Sequence, residues 1–166
     1  MERATRSGRT VGVYRGGFAM IIQGMFERGA MPVLERLVQF TDARHRVLTD
    51  DIANLSTPFF KPRDLDPQSF QAALGEAIDK RRGRAGADPT AGPLEMIDTR
   101  ELRFSDAGLT VAPQETHEGI LYHDQNNRDL ERLMQHLAEN TLMHRAGIDL
   151  LRNQFDMMRL AIRERV

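Results

Sequence analysis

Cysteine is absent from the 166 residues, which excludes thiol catalysis, disulfides and thiolate metal sites together and leaves the redox compartment open. Tryptophan is also absent, tyrosine occurs twice and aromatics make up 6% of the chain. A compact enzyme core of this length would usually bury more large rings, so the 40% apolar content is expected mainly in Leu, Ile and Met at helical spacing. No charge sign dominates. Lys and Arg number 23 against 24 Asp and Glu, for a net charge of -1 and a pI near 6.5, so no global field steers the chain onto nucleic acid or anionic lipid. Long apolar runs are missing too. The best, Phe18 to Ile22, gives way to Gln23 and Gly24, far short of the roughly 20 residues that span a bilayer. No direct membrane span is expected. Arg3, Arg6, Arg9 and Arg15 imitate the basic front of a signal peptide, but the apolar stretch is too short and Arg28-Gly29-Ala30 is a poor cleavage site. Residues 1–30 read as a disordered basic arm, with Met20, Met25 and Met31 as alternative starts.

What is present is helical periodicity at both ends. Leu34, Val38, Thr41, His45, Leu48, Ile52 and Leu55 are spaced by fours and threes, a heptad seam that Leu37, Phe40 and Val47 widen into a face. Pro32 suits a first helical turn, where its missing N–H costs nothing. Pro58 disfavours the α region at Thr57 and so predicts closure near Leu55 or Ser56. The N-terminal helix is placed at 31–57.

The middle, 58–126, reads as loop-rich. Pro62, Pro67 and two aspartates precede a short amphipathic stretch of Phe70, Ala73, Leu74, Ala77 and Ile78. From Lys80 through Pro93, glycine, proline and basic residues mark a loop or link. Leu102-Arg103-Phe104, Leu109-Thr110-Val111 and Ile120-Leu121-Tyr122 have β character, which predicts a small hairpin or irregular β-patch.

The final segment, 127–166, carries the strongest periodicity. Leu130, Met134, Leu137, Thr141, His144, Ile148, Leu151, Phe155, Met158 and Ile162 recur at fours and threes with no proline among them. Asp124, Asn126 and Asn127 offer capping oxygens, and Arg159, Arg163 and Arg165 suit the negative end of the helix dipole. Isolated helices are marginal in water, because most of their stability comes from burying the stripe. The expected fold is thus mainly α: two long terminal helices forming an antiparallel coiled-coil-like pair, with an irregular middle containing loops and a small β-hairpin.

Residues 53–61 read Ala53-Asn54-Leu55-Ser56-Thr57-Pro58-Phe59-Phe60-Lys61, preceded by Asp51-Ile52. This resembles the signature of bacterial flagellar rod, hook and hook-associated proteins: Asn-Ile-Ala-Asn, two variable residues, Thr-Pro-Gly and an aromatic. Asp51 replaces the first Asn, and Phe59 replaces the Gly. Pro62-Arg63-Asp64-Leu65-Asp66 resembles the continuation in the proximal rod type. Asn126-Asn127-Arg128-Asp129-Leu130-Glu131-Arg132-Leu133-Met134 resembles the opening of the rod-protein C-terminal helix, and Ala138-Glu139-Asn140-Thr141-Leu142 continues the match. The likeness covers roughly 31–78 and 122–163. Short length and the lack of a large middle domain favour the proximal rod type. The resemblance implies a structural subunit of the flagellar basal body rod, exported by the flagellar type III apparatus without a cleaved signal. It implies a periplasmic location in the drive-shaft, with other rod subunits, inner-membrane ring or adaptor proteins and the export apparatus as partners. The absence of cysteine would suit a chain exported unfolded. The assembly residues it points to are the two stripes plus Ala53, Asn54, Thr57, Pro58 and Phe60. Thr-Pro-Gly suits a type II turn, whose third position needs positive φ. Phe59 there would be strained, so a type I or open turn is expected.

If the helices pair with position sums near 189, Leu55 meets Met134, Ile52 meets Leu137, Leu34 meets Phe155 and His45 faces His144. Such a histidine pair could sense pH or hold a metal, but two ligands make a weak site, and register-setting seam residues are the preferred reading. Asp124, Asn126 and Glu131 suggest a calcium loop only loosely, because Arg128 stands where a ligand is needed. Lys80 to Arg84 lacks the interleaved aromatics of a nucleic-acid site and reads as a solvated loop. Met134, Met143, Met157 and Met158 suggest an adaptable apolar surface. No Ser/His/Asp order, phosphate-binding glycine loop or metalloprotease spacing occurs, so no enzyme, cofactor or metal is expected. The alternative is a cytoplasmic coiled-coil adaptor or secretion chaperone, which explains the seams but not the Ala-Asn-X-X-Thr-Pro block. A small helical hydrolase is the weakest rival, for want of a catalytic set.

Overall fold

The computed structural model describes residues 29–84, 92–105, 108–115 and 130–163. The basic arm up to residue 28, the Ile120–Tyr122 run and the Asp124–Asp129 capping segment lie outside these. Helix α1 (Met31–Ala53) opens with proline in its first turn and closes at Asn54, slightly ahead of the expected stop. Strand β1 (Arg63–Asp64) follows, and then α2 (Pro67–Arg84). Asp66 caps α2: its carboxylate accepts the N–H groups of Gln68 at 2.9 Å and Ser69 at 3.1 Å, while Pro67 fills the position where a missing donor costs nothing.

The structure extends α2 beyond the expected amphipathic stretch. Lys80 to Arg84 form its last turn rather than a solvated loop, and Arg81 is buried, donating to the Gly29 carbonyl at 2.9 Å. Three basic residues in that last turn complement the helix dipole, a balance that loop-forming composition concealed.

Strands β2 (Leu102–Ser105) and β3 (Gly108–Val111) pair antiparallel, Leu102 opposite Val111 and Ser105 opposite Gly108. They are the arms of the expected small hairpin. A second pairing was not expected: β4 (Gln114–Glu115) lies antiparallel to β1, Arg63 opposite Glu115. It is too short for periodicity to reveal. Helix α3 (Leu130–Arg163) has 34 residues, roughly 51 Å of helix.

The core lies between α1, α2 and the hairpin. Phe40, Leu65, Phe70 and Leu102 are buried together, flanked by Leu37, Val47, Leu74, Met96 and Phe104. The Phe40 and Phe70 rings stack with centroids 4.1 Å apart and planes 2° from parallel. The middle of the chain therefore folds back onto α1, and α3 packs along another side of the same helix. Among the described residues no helix is long and apolar enough to cross a membrane.

Candidate functional site

The chain must reverse as it leaves α1, and Asn54 begins the reversal. Its backbone N–H reaches the Asp50 carbonyl at 3.1 Å, and its side-chain amide donates to the same oxygen at 2.9 Å. A carbonyl that would otherwise be orphaned at the helix end gains two donors. Thr57 N–H then donates to the Asn54 carbonyl at 2.8 Å, and Phe60 N–H to the Thr57 carbonyl at 3.3 Å. Pro58 occupies the second position of that last turn and Phe59 the third, with φ of 62°. This is the arrangement of a type II turn. The expectation of a type I or open turn is overturned: the backbone keeps the glycine-type conformation although a phenylalanine sits there. Phe59 is 75% exposed, so its ring meets no neighbour that would push the backbone elsewhere.

After the turn, β1 is tied back to α1 by charged groups. Arg44 donates from Nε to Asp64 Oδ1 at 2.8 Å and from its terminal nitrogen to Oδ2, a two-point clasp. His136 of α3 stands 3.7 Å from the same carboxylate, so Asp64 joins all three elements. Arg44 is itself buried. About two turns further along α1, Asp51 is 2% exposed and accepts the Arg63 backbone N–H at 2.8 Å through Oδ2. Its other oxygen is buried without a hydrogen-bond partner among the described residues. Burial pushes the Asp51 carboxyl up to about 6, although the Arg63 N–H and guanidinium favour the charged form; the charges of Asp50 and Asp64 add to the rise.

The contact between α1 and α3 centres on polar and small residues. Asn140 is buried and donates to the Thr41 carbonyl at 2.8 Å. The Thr41 hydroxyl lies 2.9 Å from the Leu37 carbonyl and 2.8 Å from His144 Nδ1. A hydroxyl has one proton, so if it goes to Leu37 the imidazole must donate from Nδ1. Gly147 lets the helices approach closely: a Cβ there would sit 3.2 Å from Val38 Cγ2 and 3.4 Å from Leu37 Cδ2.

The stripe residues divide accordingly. Leu34 and Leu48 are buried; Val38, Ile52, Leu137, His144, Ile148, Leu151, Phe155 and Met158 are half-buried. His45 is exposed, and His144 meets Thr41 instead. The register summing to 189 is thus off by about one helical turn. Leu130, Met134 and Ile162 are exposed. In the turn, Ala53, Thr57 and Pro58 are exposed, while Asn54 and Phe60 are half-buried. The amino-acid pattern did not single out Arg44 or Gly147, and marked Asp51 and Asn140 only as parts of a motif. The usable signal was a parallel heptad line on α1, Leu37, Thr41, Arg44, Leu48 and Asp51, which shares alternate members with the apolar one.

A polar cleft of about 480 Å³ opens beside the clasp, lined by Arg44, Asp64, Glu101, Gln114, His136 and Glu139 among others. Among the described residues no three histidine or acidic side chains gather as metal ligands. What the geometry does is hold a helix pair and the segment leaving it at a set angle.

No family profile matches the chain. It is similar to the flagellar basal body rod protein FlgB of Bacillus subtilis, at 25% identity over 136 residues, covering 81% of this chain and 93% of the relative. It is also 26% identical to the FlgB of Yersinia enterocolitica (78% of this chain, 90% of the relative) and 26% identical to that of Borrelia hermsii (81% and 96%).

Proposed function

We propose that this chain, FlgB-like along about four-fifths of its length, is a non-enzymatic structural subunit of the flagellar basal body rod. The observation that supports it most directly is the α1–α3 seam. Gly147 meets Leu37 and Val38, while His144 and Asn140 meet Thr41. Contacts that climb one helix as they descend the other fit an antiparallel, coiled-coil-like pair. In this reading the pair is the mechanical element of the drive-shaft, and its torque passes through interlocked helices. The Asn54–Phe60 turn positions the chain as it leaves α1, so that the middle can fold back along that helix. Other rod subunits and the inner-membrane ring or adaptor proteins are the partners. Export is by the flagellar type III apparatus with no cleaved signal, to a periplasmic position.

The test is cellular. Fractionation of a motile strain, with mass spectrometry of the native N-terminus, should find the uncleaved chain outside the inner membrane and in purified basal bodies. A chain confined to the cytoplasm, bound there to a secretion substrate, would overturn the reading in favour of an adaptor or chaperone.

A further inference from the structure

Of the eight large apolar side chains exposed on the described residues, seven lie on α3. They do not all belong to one face. Leu142, Ala146, Leu150, Asn153, Met157 and Leu160 recur at four, four, three, four and three residues, and all six are exposed. At 100° per residue this line lies roughly 130° around the helix from Asn140, Gly147 and Leu151, which face α1. So α3 carries a second stripe that α1 of the same chain cannot cover.

Nor can the outer side of another copy's α1, which exposes Glu35, Asp42, His45, Arg46, Thr49 and Asp50. A second α3 can. Along one flank of the stripe run Arg145, Asp149, Arg152, Asp156 and Arg159, alternating in sign at four, three, four and three residues. Within the chain Arg152 pairs with Asp149 at 3.5 Å and Arg159 with Asp156 at 3.4 Å, all of them exposed. Two-fold pairing of antiparallel helices sets the same flank of each copy side by side, whereas parallel pairing sets opposite flanks together. The charge row therefore meets itself only in the antiparallel case. At a position sum of 301, Arg145 then faces Asp156, and Asp149 faces Arg152, each twice. Nearly the same sum places Leu142 opposite Leu160 and Leu150 beside its own copy.

We propose that α3 binds a second copy of this chain through the Leu142–Leu160 stripe, as an antiparallel two-fold pair registered by its alternating charges. The proposal goes beyond the rod reading and does not rest on it. A two-fold pair has no polarity, whereas a shaft growing from one end does, so this is a form of the free chain. The contact spans roughly 27 Å of helix, short enough that the dimer should dissociate on dilution.

Sedimentation equilibrium of the full chain over a dilution series should show a reversible monomer–dimer equilibrium. Asp149→Arg should weaken it about tenfold or more, equivalent to ~1.4 kcal/mol. The double variant Asp149→Arg, Arg152→Asp should restore it, which general unfolding could not mimic. Because the chain has no cysteine, single cysteines report the register. Leu150→Cys should cross-link to itself, and Leu142→Cys should cross-link to Leu160→Cys but not to itself. A monomer at every concentration, a Leu142→Cys homodimer, or no rescue by the charge swap overturns the proposal. None of these results bears on incorporation into basal bodies, and loss of incorporation leaves the pairing standing.

Discussion

Replacing Asp51 by asparagine separates the burial of its carboxyl from its charge. The folded protein holds this group at about 6 against an ordinary 3.8. Between those values the folded chain binds a proton that the unfolded chain has released. The group's contribution to stability is therefore complete below about 3.8 and is lost as pH rises through about 6. At ~1.4 kcal/mol per unit, the rise of about 2 units corresponds to a penalty of ~3 kcal/mol for the ionised form. Roughly half of it, ~1.4 kcal/mol, is recovered on moving from about pH 7.5 to about pH 5. Asparagine keeps the acceptor for Arg63 N–H and abolishes the titration, but it puts an amide where Oδ1 now lacks a partner, at a cost of ~1–3 kcal/mol. Near pH 7.5 the variant should equal or exceed the parent by up to ~2 kcal/mol. Near pH 5 that advantage should shrink by ~1.4 kcal/mol. Urea unfolding of both proteins at the two pH values, followed by far-ultraviolet circular dichroism, measures the difference, and other titrating groups cancel in the comparison. A stability gap that is the same at both pH values would refute the reasoning.

Phe59→Gly should raise stability by ~0.5–1 kcal/mol, since relief of a left-handed conformation is partly offset by the entropy of an unfolded glycine; thermal melts check this, and a lower midpoint contradicts it. Gly147→Val should cost ~1–3 kcal/mol by forcing Val38 and Leu37 apart, read as a lower urea midpoint. Asp64→Asn leaves Arg44 buried without its counter-ion and should cost ~3–5 kcal/mol, while the paired change Arg44→Met, Asp64→Leu should recover much of that loss. Leu151→Asp should stop assembly into basal bodies, because an unpaired charge placed in the half-buried seam costs several kcal/mol; normal swimming in soft agar would count against the assembly reading.

Helical repeats at both ends, the stop ahead of Pro58, the two main β runs and the flagellar signature are all visible in the amino-acid order, because each arises from local periodicity or turn chemistry. The rotation of the helices is not. On α1 the apolar line through Val38, His45 and Ile52 and the mixed line through Leu37, Arg44 and Asp51 share Leu34, Thr41 and Leu48. Hydrophobicity chooses the first. The folded chain buries Arg44 and Asp51 and exposes His45, because Asp64 pairs with Arg44 and the Arg63 N–H binds one oxygen of Asp51. On α3, Asn140 and Gly147 come to the seam for related reasons: a carbonyl to bind and room for a neighbouring helix. Partners supplied by distant segments cannot be read from spacing. Thus local order along the chain decides where the two terminal helices run, while contacts between segments extend α2 through Arg84, decide which face turns inward and leave a second stripe of α3 facing out.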